Sequence, residues 1–261
     1  MEITSLDNPR LKNILKLKKA SERKRQKRLI IEGWRELTLA ANGGAKVEEL
    51  FYCPDFAKNK ILPIDLPKTA IFKLAKKAFA KISYRENPDG FLAIAKIENL
   101  LLENLQVGCN PLIIILAGVE KPGNLGAILR TADAAGLEAV IINDPKVDLY
   151  NPNVIRASQG TIFTVPTIFA SASQTISWCR QHKIKIFSTT PKAKKLYTEI
   201  NFKSASAIVL GSEDKGLSQR WLDLADEQIK IPMKGRIDSL NVSVAAAIIL
   251  FEAVRQRESQ K

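Results

Sequence analysis

Histidine is almost absent from this sequence of 261 residues, since His182 is the only one. A hydrolase of the Ser-His-Asp type would need this residue as its base. His182 instead stands in a polar Arg-Gln-His-Lys stretch, and the sequence has no Gly-x-Ser-x-Gly elbow. Cys179 and His182 have no second ligand pair at a recognisable spacing, which argues against a metal site. We therefore expect chemistry without imidazole and without metal, and we expect His182 at a solvated helix end.

Cysteine and long apolar runs are also scarce. Cys53, Cys109 and Cys179 are widely separated and form no Cys-x-x-Cys pair, which argues against a disulfide framework and against structural zinc. We expect all of them to be buried thiols. The longest apolar runs, residues 113–119 and 242–251, are too short to span a bilayer, and the N-terminus carries no targeting signal. We expect a cytoplasmic protein.

Positive charge, in contrast, is abundant and unevenly distributed. The net charge is +13, and residues 1–30 hold ten Lys or Arg against three acidic residues. A dense positive surface favours a phosphate backbone as its partner, although a solvated helix face is the simpler alternative. The predicted RNA-binding residues are Lys16, Lys18, Lys19, Arg23, Lys24, Arg25, Lys27 and Arg28.

Hydrophobic periodicity predicts an α/β protein with a domain boundary before Pro111. Residues 1–100 are predicted as a small α/β domain and residues 101–110 as a linker. In the first domain, Asn8 and Pro9 open a helix, strands occupy 29–33, 47–52 and 90–96, and a basic amphipathic helix covers 70–82. Residues 111–261 are predicted as a second domain, with apolar strands at 112–117, 139–143, 185–188, 207–210 and 228–231. Apolar strands separated by helical patterns imply a parallel sheet covered on both faces.

Two glycine-containing turns follow predicted strands of the second domain, where open parallel sheets bind ligands. The first, residues 118–136, carries Asn124 and Arg130, and it lacks the Gly-x-Gly-x-x-Gly dinucleotide pattern. In the second, residues 208–218, Gly211 and Gly216 have Walker A spacing, but Leu217 replaces the lysine that such a loop needs. Its acidic residues would repel a triphosphate, so the loop suits a ligand with hydroxyls or positive charge. A tight strand-to-helix turn is the alternative for the second segment, and the first is a weak signal when taken as an isolated glycine turn.

The third informative segment is residues 231–244, which precedes a long apolar helix. We expect Ser239 to be the N-cap of that helix, with Asn241 beside it in the first turn. Unpaired backbone amides at a helix start also receive polar ligands, so the segment is either a plain cap or part of a binding site.

Together the three segments resemble the three motifs of the SpoU/TrmH branch of the SPOUT methyltransferases. The matching patterns are Asn-x-Gly-x-x-x-Arg, Gly-Ser-Glu-x-x-Gly-Leu, and Ile-Pro-Met followed by Ser-Leu-Asn, over about residues 111–257. The family transfers a methyl group from S-adenosylmethionine to ribose 2′-hydroxyls of RNA. The resemblance implies a SPOUT domain with a trefoil knot, preceded by a ribosomal L30e-like substrate-binding domain, in a homodimer.

The resemblance also implies roles for particular residues. The implied catalytic side chains are Asn124, Arg130, Glu213, Ser239 and Asn241. The implied wall of the S-adenosylmethionine site is Leu210, Gly211, Gly216, Ile231, Met233 and Leu240. Arg130 acts either as a base or as a phosphate clamp, and the clamp is physically easier because arginine stays protonated. Asp214, where glycine is common, and Lys121, where an acid is frequent, depart from the family pattern.

The expected function is therefore S-adenosylmethionine-dependent methylation of a ribose 2′-hydroxyl in RNA. The separate front domain favours ribosomal RNA over transfer RNA as the partner. The alternative is a non-catalytic RNA-binding or assembly protein that retains the fold. A nucleotide hydrolase is disfavoured by Leu217.

Overall fold

The protein divides into two compact units in a computed structural model, which describes residues 2–58 and 69–258. Unit 1 comprises Met1–Glu98 together with Asp148–Thr164, and unit 2 comprises Asn99–Val147 together with Val165–Lys261. The sequence interpretation assigned 148–164 to the C-terminal domain, whereas these residues pack with the N-terminal unit.

The described strands and helices alternate along the chain. The strands are β1 (Glu2–Ile3), β2 (Arg28–Glu32), β3 (Val47–Tyr52), β4 (Ala70–Leu74), β5 (Phe91–Lys96), β6 (Leu112–Ala117), β7 (Ala139–Asn143), β8 (Thr167–Phe169), β9 (Lys185–Thr189), β10 (Lys195–Leu196), β11 (Ser206–Leu210) and β12 (Glu227–Lys230). The helices are α1 (Pro9–Leu17), α2 (Ala20–Gln26), α3 (Trp34–Asn42), α4 (Pro54–Ala57), α5 (Lys76–Ile82), α6 (Pro122–Ala134), α7 (Pro152–Ala157), α8 (Ala172–Gln181), α9 (Gln219–Leu224) and α10 (Val242–Glu258).

Unit 1 is built on a mixed sheet whose described strands have the order β1-β4-β3-β5-β2. Helix α1 covers this sheet with Leu11, Ile14 and Leu17, which are fully buried. The predicted start of α1 is confirmed, because the Asn8 side chain accepts a hydrogen bond from the backbone N–H of Arg10.

The predicted helix at 70–82 is wrong over its first half. Ala70–Leu74 forms strand β4, which pairs in parallel with β3, and only Lys76–Ile82 is helical. Helical spacing of apolar residues was a misleading signal there, because pairing with two neighbouring strands outweighs a weak local preference.

Unit 2 is built on a parallel sheet with the order β10-β12-β9-β11-β6-β7-β8. The parallel sheet predicted from apolar strands is confirmed, and β6, β7 and β11 are buried along almost their whole length. Trp178 of α8 and Trp221 of α9 pack in one core with alternate residues of the central strands. Helix α6 packs against α10. The short strands β8 and β10 were not predicted.

A buried ion pair ties the segment 148–164 into unit 1. Arg23 is only 2% exposed, and its Nε donates to Oδ2 of Asp148 at 2.9 Å. Its guanidinium also donates to the carbonyl oxygens of Leu17 and Lys18, each at 2.8 Å. The expectation that Arg23 lies on an RNA-binding surface is therefore wrong, because the side chain is buried and all three guanidinium nitrogens donate inside the protein.

Two expectations about single side chains have different outcomes. His182 lies at the C-cap of α8, where its Nδ1 is 2.9 Å from the carbonyl oxygen of Trp178, so the predicted helix end is confirmed. Cys53 and Cys179 are buried, but Cys109 is exposed, so the expectation of three buried thiols is wrong for Cys109. The cause is the position of Cys109 in an irregular segment just before β6.

None of the described helices has the length and apolarity that a membrane span requires.

Candidate functional site

The glycine turns of the first and second motifs leave the sheet side by side. Strands β6 and β11 are parallel neighbours with Leu116 opposite Leu210, so their carboxyl ends coincide. Gly118 follows β6 with φ of +80°, and a Cβ placed on it would lie 3.6 Å from Cβ of Ser212, which follows β11. The site therefore lies where open parallel sheets bind ligands, at the carboxyl ends of adjacent strands.

The acidic turn after β11 closes on itself. Ser212 and Gly216 exchange two backbone hydrogen bonds of 3.2 and 3.1 Å. A Cβ on Gly211 would lie 2.3 Å from the carbonyl carbon of Gly216, and Gly216 itself has φ of +65°. Glycine is required at the first position for close approach and is favoured at the second, where the backbone is left-handed. The tight turn presents Glu213 at its tip.

A chain of side-chain hydrogen bonds joins all three motifs. Nδ2 of Asn124, in the first turn of α6, donates to Oε1 of Glu213 at 2.5 Å. Nδ2 of Asn241 donates in turn to Oδ1 of Asn124 at 3.1 Å. Oδ1 of Asn241 accepts from the backbone N–H of Ser243 at 2.9 Å and from its hydroxyl at 2.7 Å. The orientation of each amide follows from its partners, since only an NH₂ group can donate to the Glu213 carboxylate.

Asn241, and not Ser239, is the N-cap of helix α10. The helix begins at Val242, and the carbonyl oxygen of Asn241 accepts from the N–H groups of Val244 and Ala245 at 3.0 Å. Ser239 is exposed, and its hydroxyl donates to the neighbouring Asp238 at 3.3 Å. The predicted N-cap was wrong because the helix starts further along the chain than the Ser-Leu-Asn pattern suggested. Ser239 lies outside the chain of hydrogen bonds.

Arg130 is exposed on α6 and is not part of that chain of hydrogen bonds. At 3.6 residues per turn, its offset of six residues places it about 120° around the helix axis from Asn124. Within the described part of the chain, its guanidinium has no hydrogen bond or ion pair. The side chain is thus available to a ligand, while its role stays a prediction.

The expected cofactor wall combines a buried strand end with partly exposed apolar side chains. Leu210, the last residue of β11, is buried. Ile231, Met233 and Leu240 in the stretch before α10 are half-buried. Apolar side chains that remain partly open to solvent suit the face of a purine ring.

A charged pair at the same sheet edge was missed from the sequence. Glu120, after β6, forms an ion pair with Lys146, after β7. The hydrogen bond from Lys146 lowers the pKa of Glu120, and the same bond raises the pKa of Lys146. The sequence could have predicted the pair, because Glu120 and Lys146 each follow the carboxyl end of a predicted strand and these strands are parallel neighbours.

The basic residues predicted to bind RNA differ in their partners and exposure. Arg25 pairs with Glu22 and Arg28 pairs with Glu48, each at 2.6 Å. Nζ of Lys18 donates to the carbonyl oxygen of Ser83 at 3.0 Å. The remaining residues of the predicted set, apart from the buried Arg23, are exposed, and these are Lys16, Lys19, Lys24 and Lys27.

Comparison with models of protein families shows the family to which the chain belongs. The model of the SpoU rRNA Methylase family matches residues 111–251, which is more than half of the protein and contains all three motifs. The chain belongs to the SpoU rRNA Methylase family. The model of the MRM3-like substrate binding domain matches residues 8–93. The resemblance to the SpoU/TrmH methyltransferases, which was inferred from the three motifs, is thus confirmed.

Individual SpoU family members are similar over the whole length. The 23S rRNA (guanosine(2553)-2′-O)-methyltransferase RlmP of Bacillus subtilis is 29% identical, over 96% of this chain and 98% of that protein. A crystal structure described as an RNA 2′-O ribose methyltransferase is 41% identical, with a TM-score of 0.85 over 99% of this chain and all of that one. A structure of an AdoMet-bound rRNA methyltransferase from Sinorhizobium meliloti is 29% identical, with a TM-score of 0.88, over 98% of this chain and 97% of that one. These SPOUT structures share the α/β architecture found here.

Proposed function

We propose that this protein transfers the methyl group of S-adenosylmethionine to a ribose 2′-hydroxyl of 23S ribosomal RNA. The observation that carries the proposal is the hydrogen-bonded chain from Glu213 through Asn124 to Asn241, which joins the three family motifs at one sheet edge. Relatives of matching length support the substrate class, since RlmP of Bacillus subtilis is named for methylation of a 23S rRNA guanosine.

The residues at this edge fit S-adenosylmethionine. When bound, this cofactor supplies an electrophilic methyl group on a positively charged sulfonium. A carboxylate near a sulfonium is favourable, and Glu213 presents one at the tip of the closed turn. A Cβ placed on Gly216 or Gly123 would meet no atom within 4 Å, so backbone at both positions is open to a ligand. Leu210, Ile231, Met233 and Leu240 would hold the adenine ring.

The polar side chains of the site would position the ribose. A 2′-hydroxyl is very weakly acidic, so the protein must hold the attacking oxygen in line with the methyl group. The bond from oxygen to the methyl carbon would form as the bond from sulfur to that carbon breaks, and the hydroxyl proton would pass to solvent water. Asn124 and Asn241 form one rigid unit with Glu213, and the unit would orient the hydroxyl and the cofactor. Arg130 would fix the adjacent phosphate with its planar guanidinium, because an arginine stays protonated and pairs well with phosphate oxygens. Ser239 would reach the ligand from the exposed segment before α10.

Mapping of 2′-O-methylation in total RNA tests the proposal. We expect one site in 23S rRNA to lose its methyl group in a deletion strain and to regain it with the wild-type gene. Asn241→Ala and Arg130→Ala should fail to restore it, while the matched surface variant Asn201→Ala should restore it. If every methylated site of ribosomal RNA kept its methyl group in the deletion strain, the proposal would be overturned. A wild-type protein that binds rRNA but transfers no labelled methyl group would favour a non-catalytic assembly role.

A homodimer is part of the proposal. Val244 and Phe251 are 46% and 48% exposed on α10, and their spacing of seven residues places both on one helix face. Exposed apolar residues on one face suit burial against a second copy. Light scattering should give twice the chain mass for the wild type and the single-chain mass for Phe251→Glu. Phe169→Glu, at a 38% exposed phenylalanine of unit 2, is the matched control. A monomeric wild type would contradict the dimer.

A further inference from the structure

Unit 1 contains a polar recess that the three motifs do not involve. Its volume is about 600 Å³, and its lining includes Trp34, Arg35, Tyr84, Arg85 and Arg156. Four of these residues lie in the stretch that matches the substrate-binding model, whereas Arg156 lies in the stretch that matches the methylase model. The segment 148–164 therefore completes a surface that residues 8–93 alone would leave open.

Buried carboxylates hold the loop that forms one wall of the recess. Glu32 is 9% exposed and accepts hydrogen bonds from the hydroxyl of Ser83 at 2.5 Å and from the N–H of Tyr84 at 2.7 Å. Glu36 is 5% exposed and pairs with the guanidinium of Arg85. Glu32 is satisfied by hydrogen bonds from residues 83–85 and Glu36 by an ion pair with Arg85, and these contacts fix the backbone at residues 83–85.

The fixed loop leaves an aromatic ring exposed among cations. Tyr84 is 44% exposed although its backbone is held. Nζ of Lys18 lies 5.9 Å from the centre of the Tyr84 ring, so the basic N-terminal segment adjoins the recess. Arg35 and Arg156 are exposed on its lining, and Glu86 is the exposed acidic residue beside them. The charges of the lining balance, and Arg85 is paired with Glu36. The other cations of the recess are Arg35 and Arg156, and Lys18 lies next to the Tyr84 ring.

An exposed aromatic ring beside guanidinium groups matches the chemistry of an unpaired nucleotide. Bases stack on aromatic side chains, while guanidinium groups pair with the phosphate that precedes or follows the base. A small inorganic anion would need only the cations. We propose that this recess binds one unpaired nucleotide of the substrate RNA, with its base on Tyr84 and its phosphate held by Arg156 and Arg35. The proposal rests on the proposed function for the identity of the RNA.

RNA binding by the full-length protein tests the recess directly. The probe is a fluorescein-labelled oligouridylate of about twelve nucleotides, measured by anisotropy over a salt series. We expect Tyr84→Leu to weaken binding on the order of tenfold without changing the salt dependence, because a stacking contact is lost. Tyr84→Phe should bind like the wild type, because it keeps the ring. Arg156→Gln should reduce the slope of log K against log salt by about 0.7, the value for one phosphate of a single strand.

Control variants and a second readout separate this proposal from the proposed function. Lys77→Gln removes an exposed cation of unit 1 outside the recess and should leave the affinity nearly unchanged. Transfer of labelled methyl groups to 23S rRNA from a deletion strain should show a raised KM for RNA in Tyr84→Leu, with unchanged affinity for S-adenosylmethionine by calorimetry. Wild-type affinity for oligouridylate in both Tyr84→Leu and Arg156→Gln would overturn the recess proposal. A wild type without methyl transfer would overturn the function alone, since the anisotropy result would still stand.

Discussion

Asn241 donates a hydrogen bond to Oδ1 of Asn124 at 3.1 Å, across 117 positions of sequence. The bond joins the N-cap of α10 to the first turn of α6. Because Asn124 donates onward to Glu213, it is both acceptor and donor, and its amide cannot rotate without breaking both contacts. Asn124 is thus the central residue of the site.

Replacing Asn124 by aspartate tests whether the site needs Asn124 to donate a hydrogen bond to Glu213. Asn124→Asp keeps an acceptor for Asn241 but places a second carboxylate against Glu213, so a hydrogen bond becomes a repulsion. Hydrogen bonds to charged groups contribute about 1.5–3 kcal/mol, so we expect methyl transfer to fall at least about tenfold. Steady-state kinetics with 23S rRNA measure the effect. Asn201→Asp, at an exposed asparagine elsewhere in unit 2, should leave the rate unchanged, and equal rates for both variants would refute the assignment.

The closed turn after β11 gives a paired prediction on two glycines. Gly211→Ala puts a Cβ 2.3 Å from the carbonyl carbon of Gly216, so the turn must open and the position of Glu213 is lost. Gly216→Ala meets no atom within 4 Å and adds only the cost of a left-handed alanine, about 1 kcal/mol. Urea unfolding should show a much larger loss of stability in Gly211→Ala than in Gly216→Ala. The reverse order would contradict the geometry of the turn.

The buried pair of Arg23 and Asp148 should control the stability of unit 1. Arg23→Met removes the partner of Asp148 and leaves the carbonyl oxygens of Leu17 and Lys18 without their donor. Breaking a buried pair on one side costs about 3 kcal/mol, at the low end of the usual range because Asp148 is 30% exposed.

Urea unfolding followed by circular dichroism measures that free energy. The control is Lys24→Met, because Lys24 follows Arg23 directly in the sequence and is exposed. It should change the free energy of unfolding by less than about 0.5 kcal/mol. An Arg23→Met protein as stable as the wild type would show that the pair is not needed.

Thiol labelling should distinguish the three cysteines. Cys109 is exposed, while Cys53 and Cys179 are buried. Burial raises the pKa of Cys179 to about 12, so almost none of it is the reactive thiolate at pH 8. We expect one fast-reacting thiol in the native protein and three after denaturation, counted with a chromogenic disulfide reagent. Cys109→Ser should remove the fast phase, and its persistence would place the reactive thiol elsewhere.

Local patterns predicted the elements whose signal lies within a few residues. The strands at 47–52, 112–117 and 139–143 have the predicted bounds. The last two are apolar because they are buried in a parallel sheet, whereas Val47–Tyr52 lies in the mixed sheet of unit 1 and ends in a Leu-Phe-Tyr run that favours a strand. Asn8 was identified as a cap because Pro9 follows it. Strand β4 was missed because its stability comes from neighbours on both sides, a partnership that hydrophobic spacing does not record.

Three features that local patterns did not predict depend on contacts between residues far apart in the sequence. The exact cap of α10, the burial of Arg23 and the pair of Glu120 with Lys146 each depend on where a remote segment arrives. The Ser-Leu-Asn motif was compatible with a helix start at either polar residue. Arg23 looked like its basic neighbours until Asp148, 125 positions away, was placed beside it.

The order of residues alone determined the α/β architecture, the positive N-terminal segment and the three motifs, because side-chain polarity and glycine placement act over short distances. Only the tertiary structure decided which polar groups meet. Asn124, Glu213 and Asn241 come together because the carboxyl ends of parallel strands and the starts of their helices converge on one edge. Ser239 and Arg130, from the same motifs, do not join them, since a helix start and a helix face are set by packing.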